Sequence, residues 1–235
     1  MPATLYLLPA PLAPDTSLKV LSPQVLACMA DIDFFFVENI RTARRLISSL
    51  KIGKVIDRIT FYELHKDTPP SETRVQLQAL AASHHNAGIL SEAGCPGIAD
   101  PGAVAVGIAH ELGIEVVPLV GPSSLLLALM ASGFNGQSFI FHGYLPIERA
   151  ARIQTLKQLE KEAISKHQTQ LFIETPYRNN ALLEDILHTC QPNTRLCIAC
   201  NLTAADGFVK TQTVRQWKTS KPDLHKKPTV FLLGV

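Results

Sequence analysis

A segment rich in glycine and proline, residues 91–102, constrains this chain more than any other feature. It reads Ser-Glu-Ala-Gly-Cys-Pro-Gly-Ile-Ala-Asp-Pro-Gly, with a short apolar run before it and a helix-like pattern after it. Glycine permits positive φ and a close approach of the backbone to a ligand, while proline fixes the direction of the chain. The segment predicts a strand-to-helix loop, at the end of a parallel strand where α/β sheets bind ligands. A tight turn without a ligand would have a similar composition.

A second Gly-Pro element, residues 120–124, follows the next apolar run. It reads Val-Gly-Pro-Ser-Ser and comes about thirty residues after the first loop. Because the carboxyl ends of parallel strands meet at one edge of a sheet, two loops of this kind predict a single binding crevice.

Strand and helix patterns alternate through the first half of the chain. The predicted strands are Thr4–Leu8, Phe34–Val37, Ile59–Leu64, Ala87–Leu90 and Ile114–Leu119. Ser22 and Asn39 are expected to cap two of the helices between them, and Asp100 to cap the helix after the first loop. This alternation predicts an α/β domain, residues 1–118, with a mostly parallel sheet and helices on both faces.

The second half differs, because its strands are closely spaced. Helices are predicted at 124–132, 149–163 and 177–189, the last capped by Thr175 with Pro176 in its first turn. Strands are predicted at 139–142, 170–174, 195–200, 208–213 and 229–234. Short connections favour antiparallel pairing, so residues 119–235 are expected to form a second α/β domain with a mixed sheet.

Composition indicates a folded globular protein, with 46% hydrophobic and 18% charged residues. The net charge of +2 is compatible with an anionic partner but does not indicate one. Residues 1–14 lack the basic start of a signal peptide, and the five scattered cysteines fit a reducing, cytoplasmic setting. Cys197 and Cys200 have C-x-x-C spacing but lie in a strand pattern, where they would face opposite sides, so a metal or redox pair is disfavoured.

Four ordered motifs resemble the tetrapyrrole methylase superfamily of methyltransferases that use S-adenosylmethionine (SAM). Within it, the chain is most similar to the family of ribosomal RNA small subunit methyltransferase I. The motifs are Glu38-Asn39-Ile40-Arg41-Thr42-Ala43-Arg44-Arg45-Leu46, Ser91 to Gly102, Val116-Val117-Pro118-Leu119-Val120-Gly121-Pro122-Ser123-Ser124, and Phe172-Ile173-Glu174-Thr175-Pro176-Tyr177-Arg178. The resemblance implies methylation of a ribose 2′-hydroxyl in small-subunit rRNA, a cytoplasmic homodimer, and a SAM cleft between the two domains.

The resemblance also implies the site residues. Those expected to bind SAM are Pro9, Gly94, Cys95, Ile98, Ser123, Ser124, Glu174, Thr175, Leu202 and Thr229. Those expected to bind the RNA substrate are Glu38, Arg41, Arg44 and Arg178. No catalytic base and no metal ligand is assigned.

The same residues allow plainer interpretations. Ser123 and Ser124 would also cap a helix, and Arg41 and Arg44, on one helix face, would also suit a solvated surface. Glu38 would either form an ion pair with an arginine or act on the substrate hydroxyl.

The chain departs from the family pattern at several charged positions, including Asn39, Asn201 and Ala204. Two other functions therefore stay open at this point. One is methylation of a tetrapyrrole or another small molecule, and the other is non-catalytic binding of SAM or RNA.

Overall fold

The computed structural model describes residues 3–235, which divide into two compact units, the first ending at Ser123 and the second beginning at Ser124. The first unit is built on a five-stranded sheet with the order β3-β2-β4-β1-β5, in which every pairing is parallel. The strands are β1 (Thr4–Leu8), β2 (Phe34–Val37), β3 (Thr60–Glu63), β4 (Ala87–Leu90) and β5 (Glu115–Pro118). Their carboxyl ends therefore lie along a single edge of the sheet.

Helices cover both faces of this sheet. They are α1 (Ser17–Val20), α2 (Pro23–Asp31), α3 (Ile40–Ser49), α4 (Pro70–Ala82) and α5 (Gly102–Glu111), with a 3₁₀ turn at Ile56–Arg58. Phe35 packs in an apolar cluster with residues of α2 and α3, whereas Phe36 packs in another with residues of α4 and α5. Successive strand residues point to opposite faces, so this pair confirms the predicted two-faced arrangement.

Local capping explains where two of these helices begin. The Ser22 hydroxyl accepts a hydrogen bond from the backbone N–H of Val25 at the start of α2. The Asn39 side chain accepts two, from Arg41 and Thr42, at the start of α3. Each cap satisfies N–H groups that have no partner inside the helix, as the sequence predicts.

The second unit is built on a mixed sheet with the order β6-β7-β10-β8-β9. Its strands are β6 (Phe139–Tyr144), β7 (Thr169–Ile173), β8 (Arg195–Cys200), β9 (Phe208–Thr213) and β10 (Thr229–Gly234). The pairing of β6 with β7 is parallel and the other three are antiparallel, which confirms the predicted mixed sheet. The helices are α6 (Ser124–Ser132), α7 (Arg149–Lys166), α8 (Asn179–Thr189) and α9 (Val214–Thr219).

The predicted start of the helix at Tyr177, with Thr175 as its cap, is wrong. The helix α8 begins at Asn179, after a turn in which the N–H of Arg178 donates to the carbonyl of Thr175. The N–H of Thr175 bonds the carboxylate of Glu174 instead of continuing a helix. This turn precedes the helix, so α8 begins two residues later than the sequence predicts.

A buried ion pair lies within the second unit. Arg152 of α7 donates to both the carboxylate of Asp185 in α8 and the carbonyls of Pro146 and Ile147. The side chains of Arg152 and Asp185 are 10% and 4% exposed.

Cys197 and Cys200 lie in different apolar clusters, as expected for residues on opposite faces of a strand. No helix within residues 3–235 is long and apolar enough to cross a membrane.

Candidate active site

The first glycine loop, residues 91–102, is organised by Asp100. One carboxylate oxygen of Asp100 accepts hydrogen bonds from the N–H groups of Gly97, at 2.6 Å, and Gly102, at 2.9 Å. The other accepts from the Ser91 hydroxyl at 2.9 Å. The prediction that Asp100 is the N-cap residue of α5 is wrong, because Pro101 occupies that position and makes no side-chain hydrogen bond there. Asp100 instead ties the two ends of the loop together.

Gly94 joins this loop to the segment after β1. The backbones of Ala10 and Gly94 exchange two hydrogen bonds, forming an isolated antiparallel bridge. Gly94 has φ +77°, a conformation that residues with a side chain adopt only with strain. The glycine predicted to contact SAM is therefore also needed for the backbone path.

The second glycine loop packs against the first and against Pro9. The Cys95 thiol donates to the carbonyl of Pro122 at 3.4 Å. A Cβ atom at Gly121 would lie 2.2 Å from Cγ of Pro9, so only glycine fits there. Burial, followed by the charge of Asp100, raises the pKa of the Cys95 thiol and keeps it neutral. Both glycine loops thus meet at one edge of the parallel sheet, as the sequence predicts.

The remaining SAM candidates fall into two groups. In the first unit, Ile98 presents an apolar side chain that is 50% exposed on the first glycine loop. Ser123 ends the first unit, and Ser124 is the first residue of α6 in the second.

In the second unit, the pairing of the strands places the remaining SAM candidates at one end of the mixed sheet. Glu174 follows β7, Thr229 opens β10, and Leu202 lies two residues beyond the partner of Thr229 in β8. The Glu174 carboxylate is buried and accepts from Thr175 N–H and from Nη2 of Arg178, both at 2.6 Å. Arg178 is thus held by Glu174, and its Nε is buried without a hydrogen-bond partner within residues 3–235.

Glu38 lies at the end of β2, beside two other carboxylates. Burial raises the pKa of Glu38, and the charges of Asp100 and Glu92 raise it further, although an N–H of Glu92 donates to it. Among the described residues, Glu38 forms no ion pair with an arginine. The interpretation of Glu38 as the partner of an arginine is therefore wrong. A carboxyl group in these surroundings gains a proton more readily than an ordinary glutamate.

The three arginines of α3 separate in space. All three are exposed, but Arg44 forms a salt bridge of 2.7 Å with Asp57. Arg41 forms no ion pair within residues 3–235, and Arg45 lines a cavity. The predicted substrate arginines thus differ in how free they are to bind a phosphate.

The cavity beside α3 has a volume of about 480 Å³ and was not predicted from the sequence. Three segments line it: the loop after β1, one face of α3, and the end of β4 with the start of the first glycine loop. The lining residues are Pro11, Leu12, Ala13, Pro14, Asp15, Ser17, Thr42, Ala43, Arg45, Leu46, Ser49, Leu90, Ser91, Glu92 and Ala93. The spacing of residues 42, 45, 46 and 49 on one helix face was the available sequence signal.

Comparison with known proteins places the chain in a family. No family model matches it. Ribosomal RNA small subunit methyltransferase I of Vibrio cholerae is 29% identical over 97% of this chain and 76% of its own length. The protein of the same name from Mesorhizobium japonicum is 30% identical over 90% of this chain and 67% of its own length. The chain belongs to the family of ribosomal RNA small subunit methyltransferase I. It is therefore a member of a methyltransferase family.

Solved structures show the same fold. The methyltransferase CobJ matches with a TM-score of 0.64 and 17% identity, over 99% of this chain and 94% of the other. Uroporphyrin-III C-methyltransferase from Thermus thermophilus, complexed with S-adenyl homocysteine, matches with a TM-score of 0.56 and 16% identity, over 99% and 97%. These likenesses confirm the expected tetrapyrrole methylase fold in this family member.

Proposed function

We propose that this chain transfers a methyl group from SAM to a ribose 2′-hydroxyl of small-subunit rRNA. The observation that supports this most directly is the meeting of two glycine loops at the carboxyl edge of a parallel sheet, in a chain whose relatives are named for methylation of small-subunit rRNA. Ligands of α/β sheets bind at this edge.

The residues present fit SAM. Pro9 and the exposed Ile98 offer apolar surface, while the neutral Cys95 thiol is a weaker nucleophile than a thiolate, which a sulfonium would methylate. Adenine and a methionine chain need such apolar surface together with a few polar groups. The serine hydroxyls at the start of α6, Ser123 and Ser124, and the polar groups of Glu174, Thr175 and Thr229 would supply these, and Leu202 further apolar surface.

SAM supplies an activated methyl group for in-line displacement. This chain has to hold the ribose hydroxyl close and aligned, and to ease the loss of its proton. Glu38 is the residue of the proposed substrate set with a raised pKa, next to the loop that would hold SAM. We assign it to substrate binding, and we assign no residue as the base.

RNA binding is proposed for Arg41, Arg44 and Arg178. Arginines on phosphates add affinity without sequence information, and they make binding dependent on salt. Arg41 is free of ion pairs within the described residues, and Arg178 has an unpaired, buried Nε that a ligand oxygen would satisfy. The partner is the small ribosomal subunit or its rRNA, in the cytoplasm, and the enzyme is proposed to act as a homodimer.

A second candidate is methylation of a tetrapyrrole or another small molecule. The fold likeness to CobJ and to uroporphyrin-III C-methyltransferase favours it, as do the uncharged residues Asn39, Asn201 and Ala204. Non-catalytic binding of SAM or RNA is the third.

One experiment separates the first candidate from the other two. Purified protein is incubated with labelled SAM and small subunits from cells that lack this methylation, and the rRNA is digested and analysed by mass spectrometry. A single 2′-O-methylated nucleotide supports the proposal. SAM binding by calorimetry without transfer to RNA would favour a small-molecule acceptor or non-catalytic binding, and the absence of both binding and transfer would contradict every methyltransferase assignment.

A further inference from the structure

The cavity beside α3, called the α3 cavity below, has two chemically distinct parts. Leu12, Leu46 and Leu90 belong to its apolar part, together with Pro11, Pro14 and the lining alanines. Side chains able to form hydrogen bonds or ion pairs make up the rest: Asp15, Ser17, Thr42, Arg45, Ser49, Ser91 and Glu92. An apolar surface with a few polar groups, enclosing about 480 Å³, is typical of a small-ligand site.

The walls of the α3 cavity are held in place by contacts between distant segments. The Thr42 hydroxyl donates to the carboxylate of Glu92, joining α3 to the first glycine loop. The Ala10–Gly94 bridge joins the loop after β1 to the same glycine loop. All three lining segments are therefore fixed to one another, which makes the cavity preformed.

The α3 cavity adjoins the proposed SAM loop but is separate from it. Its lining ends at Ala93, and the SAM candidates of that loop begin at the next residue, Gly94. None of the ten SAM candidates lines the cavity. A molecule in the cavity would thus be a second ligand next to the methyl donor, which is the place a methyl acceptor requires.

We propose that the α3 cavity binds an unstacked nucleotide of the RNA substrate, with its base against the apolar wall and its phosphate on Arg45. This inference rests on the proposed function. A ribose inside folded RNA becomes accessible when its nucleotide leaves the stack, and single-stranded or extruded bases are the usual targets of RNA recognition. The guanidinium of Arg45 suits a phosphate and also stacks on a base plane, whereas Arg44 is engaged by Asp57.

A matched pair of substitutions tests the site. Ser49 and Ser48 are adjacent, exposed residues in the last turn of α3, but only Ser49 lines the α3 cavity. The variant Ser49→Trp should fill the cavity, while Ser48→Trp places the same side chain outside it. Both should fold, because neither serine is buried.

Binding is measured without catalysis, by methyl NMR of the full chain titrated with nucleoside 5′-monophosphates and with the corresponding nucleosides. In the wild type and in Ser48→Trp, the methyl signals of Leu12 and Leu46 should shift with a nucleotide, and in Ser49→Trp they should not. Arg45→Ala should weaken monophosphate binding about tenfold but nucleoside binding less than twofold, because only the phosphate contact is lost. Arg58→Ala removes an exposed arginine elsewhere in the same unit and should change neither.

Methyl transfer to undermethylated small subunits is measured on the same proteins. Transfer should fall at least tenfold in Ser49→Trp, with unchanged SAM affinity, and stay within twofold of the wild type in Ser48→Trp. Equal transfer by both variants, or shifts at the cavity methyls that persist in Ser49→Trp, would overturn the inference while leaving the proposed function intact. Nucleotide shifts confined to the cavity in a protein that transfers nothing to RNA would support the site and contradict the proposed function.

Discussion

Ala10 and Gly94 exchange two backbone hydrogen bonds, of 2.8 and 3.0 Å, although they are far apart in the chain. The bridge holds the loop after β1 against the loop after β4. Ala10 precedes Pro11 of the cavity lining, and Gly94, which is proposed to bind SAM, follows Ala93 of that lining, so the bridge borders the cavity.

The bridge requires glycine at position 94. Gly94→Val should lower the free energy of unfolding by about 1–3 kcal/mol, since the residue would be held at positive φ, and should weaken SAM binding. Gly107→Ala is the control, because Gly107 is exposed in α5 with open space around it and alanine there should stabilise by about 0.5–1 kcal/mol. Urea unfolding and calorimetry measure both effects. Unchanged SAM affinity in Gly94→Val would contradict the assignment of this loop.

Asp100 should matter for the shape of the first glycine loop. Asp100→Ala leaves the N–H groups of Gly97 and Gly102 without their acceptor, while the Ser91 hydroxyl keeps the carbonyl of Ala93, and should cost about 1–3 kcal/mol. Asp100→Asn keeps one acceptor oxygen for the two N–H groups, and Ser91 can accept from its amide, so the loss should be smaller. Thermal unfolding and SAM titration of both variants check the order. Equal losses would show that the charge, and not the hydrogen bonds, holds the loop.

The ion pair around Asp185 should dominate the acid sensitivity of the second unit. Burial alone would raise the pKa of Asp185, but hydrogen bonds and charges from Arg152 and Arg149 outweigh it and hold the pKa below its ordinary value. The ionised form therefore stabilises the fold above the unfolded pKa of about 3.9, and this stability is lost as the pH falls through the lower folded value. Urea unfolding from pH 7 to pH 2 should show this loss.

Two arginine variants separate the contributions to that ion pair. Arg152→Ala should cost about 3–5 kcal/mol at pH 7, because the buried Asp185 loses its main partner. Arg149→Ala should cost about 1 kcal/mol or less, since the Arg149 side chain is 69% exposed. The difference between the two should shrink as the pH falls through the lowered pKa of Asp185, because the carboxylate then gains a proton. A difference that is independent of pH would mean that packing, and not charge, explains the cost.

Asp57 should restrain RNA binding through Arg44. Its salt bridge occupies the arginine, and both side chains are exposed, so breaking it costs little stability. Asp57→Ala should strengthen RNA binding and steepen its salt dependence, whereas Arg41→Ala should reduce the salt slope by about one unit. Filter binding of small-subunit rRNA at several salt concentrations measures both. No change of slope in Arg41→Ala would exclude it from phosphate contact.

Glu38 should make the protein slightly less stable as the pH rises. Burial, with the charges of Asp100 and Glu92, raises the pKa of Glu38, so the folded state favours its protonated form. The resulting stabilisation of the fold is fully present below the unfolded pKa and is lost as the pH rises through the folded pKa. Glu38→Gln should therefore be more stable than the wild type at pH 7, with little difference at pH 3. Glu92→Gln should bring the pKa of Glu38 closer to its ordinary value, which carbon NMR of the carboxyl group can follow. A lower stability of Glu38→Gln at pH 7 would show that the charge is needed for folding.

Much of this architecture can be predicted from the sequence because the signals are local. Strand runs such as Phe34–Val37, caps such as Ser22 and Asn39, and the spacing of glycine and proline each act within a few residues. They predicted the parallel and the mixed sheet, and they placed both glycine loops at strand ends. The start of α8 could not be predicted in this way, because Thr175 to Arg178 form a separate turn before the helix.

What the tertiary structure alone decided is which side chains are free and which are engaged. Arg41, Arg44 and Arg45 look alike in sequence, yet Arg44 is paired with Asp57 and Arg45 lines the α3 cavity. Two residues of the cavity lining, Thr42 and Glu92, are fifty positions apart in the chain and meet through a hydrogen bond. Periodicity determines which face of a helix is apolar, but the partner of each polar side chain depends on how separate segments pack, and that is set by the burial of the whole core.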